Sequence, residues 1–381
     1  MSAAFFHDHV FIKVGSDYYS PGKLDYKKMD FYIKVFGSIT IVARSKDMSA
    51  VPEGYLIANG EFVTVIGMPN LSSIRMLFKR GAIRQRVLGI IESHEFLIAR
   101  LPSEYGLLCL DVAHRLNRAV LTEVVANAFD CLYYQSNWVK RAYAFLLEYR
   151  VRKAVAKSDY VSYVTRQYLQ EKYPAARGAM TIGVSDASIR LMDTLPRTIS
   201  HGASIKLLVI ANPDLAIKSV DTAVRAAVLL ERQGYSCHLN VLGGDGRNYI
   251  SKNGALPQNV TFHAAVPSEY VQKFIEQSDI YIQPSLTEGM PRALLEAMSS
   301  GVPCCTTPVG GMRDVVHHEC LFDKKDYKAL VNILIKLMSS EQFYFKMSEH
   351  SIEAIKHEFG SREKKDSRAD FYIKYRGSLC K

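Results

Sequence analysis

The chain has 381 residues, enough for two sizeable hydrophobic cores and too long for a peptide-sized binder. Its 48% hydrophobic and 23% charged residues, with 13 Pro and 23 Gly and no biased tract, exclude a disordered or fibrous chain. The net charge is +10, and residues 1–195 carry 25 Lys and Arg against 18 Asp and Glu, while 196–381 carry 23 against 20. A basic first half favours an anionic partner, whether nucleic acid, membrane surface or phosphorylated substrate, and charge alone does not choose among them.

Strand-like apolar runs alternate with helix-length amphipathic stretches throughout, the pattern of an α/β protein with helix-covered parallel sheets. In the first half, the predicted strands are 10–14, 39–44, 62–67, 96–99, 120–125 and 160–165, with helices over 24–36, 105–117 and 142–157. The polar segment 193–204, DTLPRTISHGAS, then breaks the pattern and reads as a linker. Alternation restarts with strands at 205–210, 238–242, 260–263, 280–283 and 304–306 and helices at 220–233, 268–277 and 292–299. Helices at 329–338 and 343–359 follow, and the end of the chain is a mixed-charge segment with aromatic residues at 369–375.

This implies two Rossmann-like doubly wound units, 1–195 and 196–360, with 361–381 as a final helical segment. Ligands of such open sheets sit beyond the carboxyl ends of the strands, so the loops after strands are where function is expected.

Seven Cys at 109, 131, 237, 304, 305, 320 and 380 form no C-x-x-C pair, and thiols in a reducing cytoplasm are the expectation. Met1–His9 does not read as a secretory leader, and no apolar run approaches the ~18 residues of a spanning helix. Any membrane contact is therefore expected to be peripheral. His7-Asp8-His9 is a poor chelate, because alternate positions on a strand leave neighbouring residues on opposite faces.

The richest stretch is PSLTEGMPRALLEAMSSGVPCCTTPVGG, residues 284–311. A turn at Thr287-Glu288-Gly289 precedes Pro291, which suits the first position of a helix because its missing N–H is not needed there. The next N–H groups, of Arg292 and Ala293, lack intrahelical partners and favour anionic or oxygen-rich ligands. Glu288 and Glu296 are two carboxylates able to accept hydrogen bonds from different sugar hydroxyls of one extended ligand.

Pro284, Ser285, Glu288, Gly289, Pro291, Glu296, Ala297, Met298, Gly301, Pro303, Gly310 and Gly311 together resemble the E-x7-E signature of the retaining GT-B glycosyltransferases, the group 1 or family 4-like type. EGMPRALLEAM looks most like members that build bacterial surface polysaccharides such as O-antigen and capsule. The resemblance extends over 205–316, with Lys218-Ser219-Val220-Asp221 similar to the lysine segment of the donor domain and Leu242-Gly243-Gly244-Asp245-Gly246 to its glycine-rich turn.

It implies that Lys218 binds the donor diphosphate, Glu296 the ribose hydroxyls and Glu288 the transferred sugar, with N–H groups around Met290 to Ala293 holding oxygens. The arginine that commonly precedes the lysine in the family is replaced here by Asn212, and Arg292 is a candidate for the missing charge. The co-substrate implied is a UDP- or GDP-sugar, no metal cofactor is expected, and the chain contains no D-x-D. A lysine and helix N-terminal amides can stabilise the leaving diphosphate without a cation.

In the first half, Gly22 within Ser20-Pro21-Gly22-Lys23 resembles a loop that approaches donor phosphates in the family. Arg100 and Ser103, after the strand at 96–99, are the acceptor-side candidates; capping of a helix by Ser103 is the plainer reading. The implied partner is a glycan or lipid-linked acceptor. Basic clusters at Lys79, Arg80, Arg84 and Arg86, at Arg115 and Arg118, and at Lys140, Arg141, Arg150, Arg152 and Lys153 are either solvated faces or contacts to anionic lipid at the inner face of the cytoplasmic membrane. Two rival readings stand beside the transferase: a nucleotide-sugar epimerase on the same scaffold, and a basic nucleic-acid-binding protein. The latter lacks any nucleic-acid module in the sequence.

Overall fold

A computed structural model describes residues 1–22, 24–71, 80–134, 137–185, 189, 191–199, 204–359 and 362–379. Lys23 and Lys79 of the sequence reading, and positions 200–203 of the expected linker, lie outside the described residues.

The first lobe contains β1 (Ser2–Val14), β2 (Asp17–Ser20), α1 (Asp30–Phe36), β3 (Ser38–Asp47), β4 (Leu56–Ile57), β5 (Val63–Met68), α2 (Arg80–Glu92), β6 (Phe96–Leu101), α3 (Glu104–Arg115), β7 (Leu121–Val124), α4 (Ala128–Tyr133), α5 (Trp138–Val155), β8 (Tyr160–Tyr163), α6 (Tyr168–Lys172) and β9 (Met180–Gly183). The parallel ladder runs β5-β3-β1-β6-β7-β8-β9. Its central strands β6, β7 and β8 are buried on both faces, which is why they read as continuous apolar runs. The two-residue period of β1 sends Ala3 and Phe5 to one core and Ala4 and Phe6 to the other.

β1 is longer than its apolar run at 10–14 suggests, because the polar His7-Asp8-His9 interruption falls where its pairing to β3 shifts between Phe6 and Val10. Its first half pairs with β6, and its last residues pair with β2 on the edge that β6 leaves. α2 carries a weak sequence signal, since Gly81, Gly89 and scattered charges mask the Ile83, Val87, Ile90 and Ile91 stripe that it buries.

The second lobe contains β10 (Ile205–Ile210), α7 (Val220–Arg232), β11 (Cys237–Leu242), α8 (Arg247–Asn253), β12 (Val260–His263), α9 (Ser268–Glu276), β13 (Ile280–Gln283), α10 (Arg292–Ser299), β14 (Cys304–Thr306), α11 (Met312–Val315), α12 (Tyr327–Ser339) and α13 (Glu341–Phe359). Its parallel strands lie in the order β12-β11-β10-β13-β14 around one core. The chain moves outward from β10 through β11 to β12 and then returns to the other side of β10, so the order reverses between β10 and β13. Loops leaving those two strands diverge to opposite faces and open a crevice there.

α14 (Arg362–Leu379) crosses back and packs against α1 of the first lobe. Phe371, Tyr372 and Tyr375 are buried there beside Phe36 and Phe96. Tyr372 donates to Glu123, and Tyr375 donates to Leu97 O at 3.0 Å while accepting from Leu97 N–H at 3.1 Å.

Candidate active site

The loops that leave β10 and β13 meet at the reversal. After β10, a single tight turn at Ala216–Lys218 ends at Ser219, which has a left-handed backbone (φ 48°) and begins α7. Leu286 N–H, in the loop after β13, donates to Ile217 O at 2.8 Å and joins the two loops. Lys218 Nζ consequently lies 2.6 Å from Glu288 Oε1.

Glu288 is held from beneath. Its Oε1 also accepts from Ser285 Oγ at 2.7 Å and Gln283 Nε2 at 3.1 Å. Gln283 is itself fixed by Tyr281, and Thr307 Oγ1 donates to Ser285 O at 2.6 Å. Gln283, Ser285 and Thr307 are buried and were not singled out as site residues from the sequence, although Ser285 was among the matching positions. The available signal was a buried amide ending the otherwise apolar run Ile280–Gln283, since buried polar groups are retained only with partners.

Two glycines bring the backbone together at this point. A Cβ on Gly310 (φ 56°) would sit 2.3 Å from Glu288 O, and one on Gly289 would sit 2.7 Å from Val125 O, just beyond β7 of the other lobe. The Glu288-Gly289 turn therefore faces the first lobe across the gap. Further polar ties flank it: Asp314 Oδ2 accepts from Arg166 N–H at 2.9 Å, and Lys324 Nζ lies 3.5 Å from Asp130.

α10 begins after Pro291 with no side chain capping it, and its first backbone bond runs from Leu295 N–H to Pro291 O at 3.3 Å. The amides of Arg292 and Ala293 thus open this helix beside the Glu288 turn, and Met290 packs between that turn and Gly311. Together with Lys218 they concentrate donors and positive potential for phosphate or sugar oxygens.

Glu296 lies one turn into the same helix, where Arg292 Nε donates to its Oε1 at 2.7 Å. The partnership of Arg292 is thus with Glu296, and no bond joins Glu296 to the Lys218–Glu288 pair. Both carboxylates nevertheless act on Tyr281, whose phenol is driven well above its usual range by burial first and then by Cys304, Glu288 and Glu296.

Asn212 is exposed after β10 and uses Oδ1 to accept from Asp214 N–H at 2.9 Å. It borders the glycine-rich turn after β11, where a Cβ on Gly244 would lie 3.2 Å from that same Oδ1. Gly22 has φ 73°, in the left-handed region that favours glycine, with no protein atom within 4 Å of a Cβ placed there.

Two acceptor-side expectations need correction. Ser103 is 3% exposed, accepts from Gly106 N–H at 2.9 Å and donates to Arg100 O at 2.6 Å, so it is the cap of α3. Arg100 turns inward and reaches Glu123 at 3.1 Å and Tyr32 at 3.4 Å, in the network that also holds Tyr372 of α14. Neither side chain presents itself to a ligand.

Asp8 is spent on the N–H groups of Glu104 and Tyr105, at 2.7 and 3.1 Å, and His9 Nε2 lies 2.9 Å from Ser20 Oγ. Elsewhere, His317, His318 and Glu319 bring donor atoms within 4.8 Å of one another, but Glu319 is already paired with Lys336 at 2.6 Å and Lys346 at 3.5 Å.

Residues 204–357 match the family model for glycosyl transferases group 1. The second lobe is similar to that group. Over 350 residues the chain is 28% identical to Protein CapJ of Staphylococcus aureus, covering 90% of this chain and 88% of CapJ. Over 106 residues it is 30% identical to the Escherichia coli UDP-Gal:alpha-D-GlcNAc-diphosphoundecaprenol alpha-1,3-galactosyltransferase, covering 27% of each. Sucrose-phosphate synthase from Thermosynechococcus elongatus superposes with a TM-score of 0.65 at 14% identity, over 99% of this chain and 100% of that one. The two-lobed architecture is the GT-B fold, and the second lobe carries Lys218, Glu288 and Glu296 at its sheet reversal.

Proposed function

We propose that the chain is a retaining glycosyltransferase that takes a sugar from a UDP- or GDP-sugar held by the second lobe and adds it to a glycan or lipid-linked acceptor held by the first. The observation that carries this reading is the Lys218–Glu288 pair beside the uncapped start of α10, facing Val125 across the lobes. The galactosyltransferase, similar over a short stretch, acts on a lipid-diphosphate sugar by its name, which supports a lipid-linked acceptor.

Breaking the anomeric C–O bond leaves negative charge on the departing diphosphate. The Lys218 ammonium and the amides of Arg292 and Ala293 stabilise that charge where it develops, so the chain's own groups supply the electrophilic assistance without a metal. Glu288, already accepting three hydrogen bonds on Oε1, orients sugar hydroxyls and does not attack the anomeric carbon. The acceptor hydroxyl attacks the anomeric carbon on the face that the leaving phosphate vacates and gives its proton to an oxygen of the departing diphosphate, which preserves configuration. Glu296 accepts from the ribose hydroxyls, with Arg292 holding its other side.

The test is a binding and turnover panel across UDP- and GDP-sugars with lipid-linked acceptor extracts. Lys218→Ala and Glu296→Ala weaken nucleotide affinity, and unchanged affinity in both variants overturns the site. Product with an inverted anomeric centre overturns retention. Sustained conversion of the donor with no acceptor present identifies an epimerase instead.

A further inference from the structure

α5 has two apolar faces. Ala144, Leu147, Val151 and Val155 are buried against the first lobe, whereas Trp138, Phe145 and Tyr149 on the outer side are 77%, 62% and 61% exposed. Trp138, Phe145 and Tyr149 recur at helical spacing, so they form one continuous stripe. An exposed apolar stripe of this size marks a surface with a partner.

Cations border the stripe: Arg152 and Lys153 lie beside Tyr149 in the last turns, Lys153 Nζ 5.9 Å from its ring, and five of the helix's six charged residues are basic. Phe129 extends the aromatic surface, meeting Phe145 edge-on at 5.0 Å and stacking on Tyr133 at 4.5 Å. Next to Tyr133, the Tyr134 hydroxyl lies 3.0 Å from Lys324 Nζ of the second lobe, so the patch reaches the rim between the lobes.

We infer that the outer face of α5 docks the chain on an anionic lipid surface, with Trp138, Phe145 and Tyr149 at the headgroup level and the flanking cations on lipid phosphates. Aromatic rings with one apolar side suit that interface, and basic residues around them supply attraction to anionic headgroups. Charge also argues against a second copy as the occupant. Two α5 faces packed together would set the bordering cations of one chain against those of the other. The inference takes its purpose from the lipid-linked acceptor proposed above: a docked α5 holds the interlobe rim against the surface where such an acceptor lies. Docking itself requires no turnover.

Trp138 is the one tryptophan in the sequence, so its emission reports this face alone. The full chain is mixed with phosphatidylcholine vesicles with and without phosphatidylglycerol, and co-sedimentation, tryptophan emission and acrylamide quenching are read. Expected are sedimentation with the anionic vesicles, a blue shift, shielding from quencher and weakening by salt. The double variant Arg152→Glu, Lys153→Glu weakens vesicle binding by at least about tenfold, and Tyr149→Ser also weakens it, with melting temperatures unchanged. No blue shift with either vesicle, equal binding by the charge-reversed variant, or a blue shift that follows protein concentration without lipid overturns the inference. Turnover on a water-soluble acceptor is measured in parallel, so failure of the transferase reading and failure of docking give different results.

Discussion

Lys218 and Glu288 stand 70 positions apart in the chain and 2.6 Å apart at their charged ends, joined because the loops after β10 and β13 share a backbone bond. In the proposed reaction, an incoming diphosphate competes with Glu288 for the same ammonium. Lys218→Ala therefore removes a stabilising charge from the leaving group and lowers kcat by roughly 10²- to 10³-fold, the scale of losing one preorganised donor. Lys218→Arg restores nucleotide affinity more than kcat, since a planar fork cannot occupy the place of a compact ammonium beside Oε1. Equal losses in the two variants would contradict this.

Glu288 separates structure from chemistry in a second way. Glu288→Gln keeps a carbonyl oxygen for Ser285 Oγ, so the fold is retained while the carboxylate charge beside Lys218 is lost. Turnover falls by at least about tenfold with the melting temperature nearly unchanged. Glu288→Ala leaves the buried Ser285 hydroxyl and Gln283 amide without this acceptor and adds about 1–3 kcal/mol of destabilisation. Thermal melts of the two variants beside initial rates check the split.

The second lobe was far more legible in sequence than the first. Strands at 205–210, 260–263, 280–283 and 304–306 and the helix at 292–299 coincide with β10, β12, β13, β14 and α10, because apolar runs there end sharply at Gly, Pro or polar turns. The donor-side candidates Glu288, Gly289 and Arg292 come from the same stretch and are local to one loop and helix. Sequence alone could not show that Arg292 would take Glu296 as its partner, because two side chains four apart on a helix compete with any ligand for each other. In the first lobe, β2, β4 and β9 are short strands with exposed residues, and α2 carries two glycines. Arg100 misled for a different reason. Its position at a strand's carboxyl end suggested the gap between lobes, while its side chain answers to Glu123, a carboxylate 23 positions away and 2% exposed.

Tyr375 tests how firmly the end of the chain is built into the first lobe. Its hydroxyl exchanges hydrogen bonds with both Leu97 N–H and Leu97 O, on the strand that precedes the α3 cap. Tyr375→Phe keeps the ring packing on Phe36 and Phe96 and leaves those backbone groups short of one partner. A loss of about 1–2 kcal/mol is expected, seen as a melting-temperature drop of several degrees for a lobe of this size. Nucleotide affinity at the second lobe stays within about twofold, because the two sites share no side chain. A drop in affinity without a drop in stability would contradict the independence of the two cores.

His263 gives a pH prediction whose sign follows from its surroundings. Burial, and then His238, lowers its pKa below the ordinary histidine value, and its Nε2 lies 2.8 Å from Asn240 Oδ1. His317 is lowered in the same direction, by burial and then by His350 and His318. The unfolded chain thus takes up protons at these sites more readily than the folded one as the pH falls through about 6.5, so their contribution to stability is present above that value and is lost below it. The buried carboxyls of Asp8 and Asp130 are raised by desolvation and act oppositely, with stability lost as the pH rises through their folded values. In a melt series from pH 7.5 to 5.5, the double variant His263→Gln, His317→Gln isolates the imidazole contribution. It declines less than the wild type on acidification over this range. A steeper decline in the variant would show that protonation of these imidazoles favours the fold.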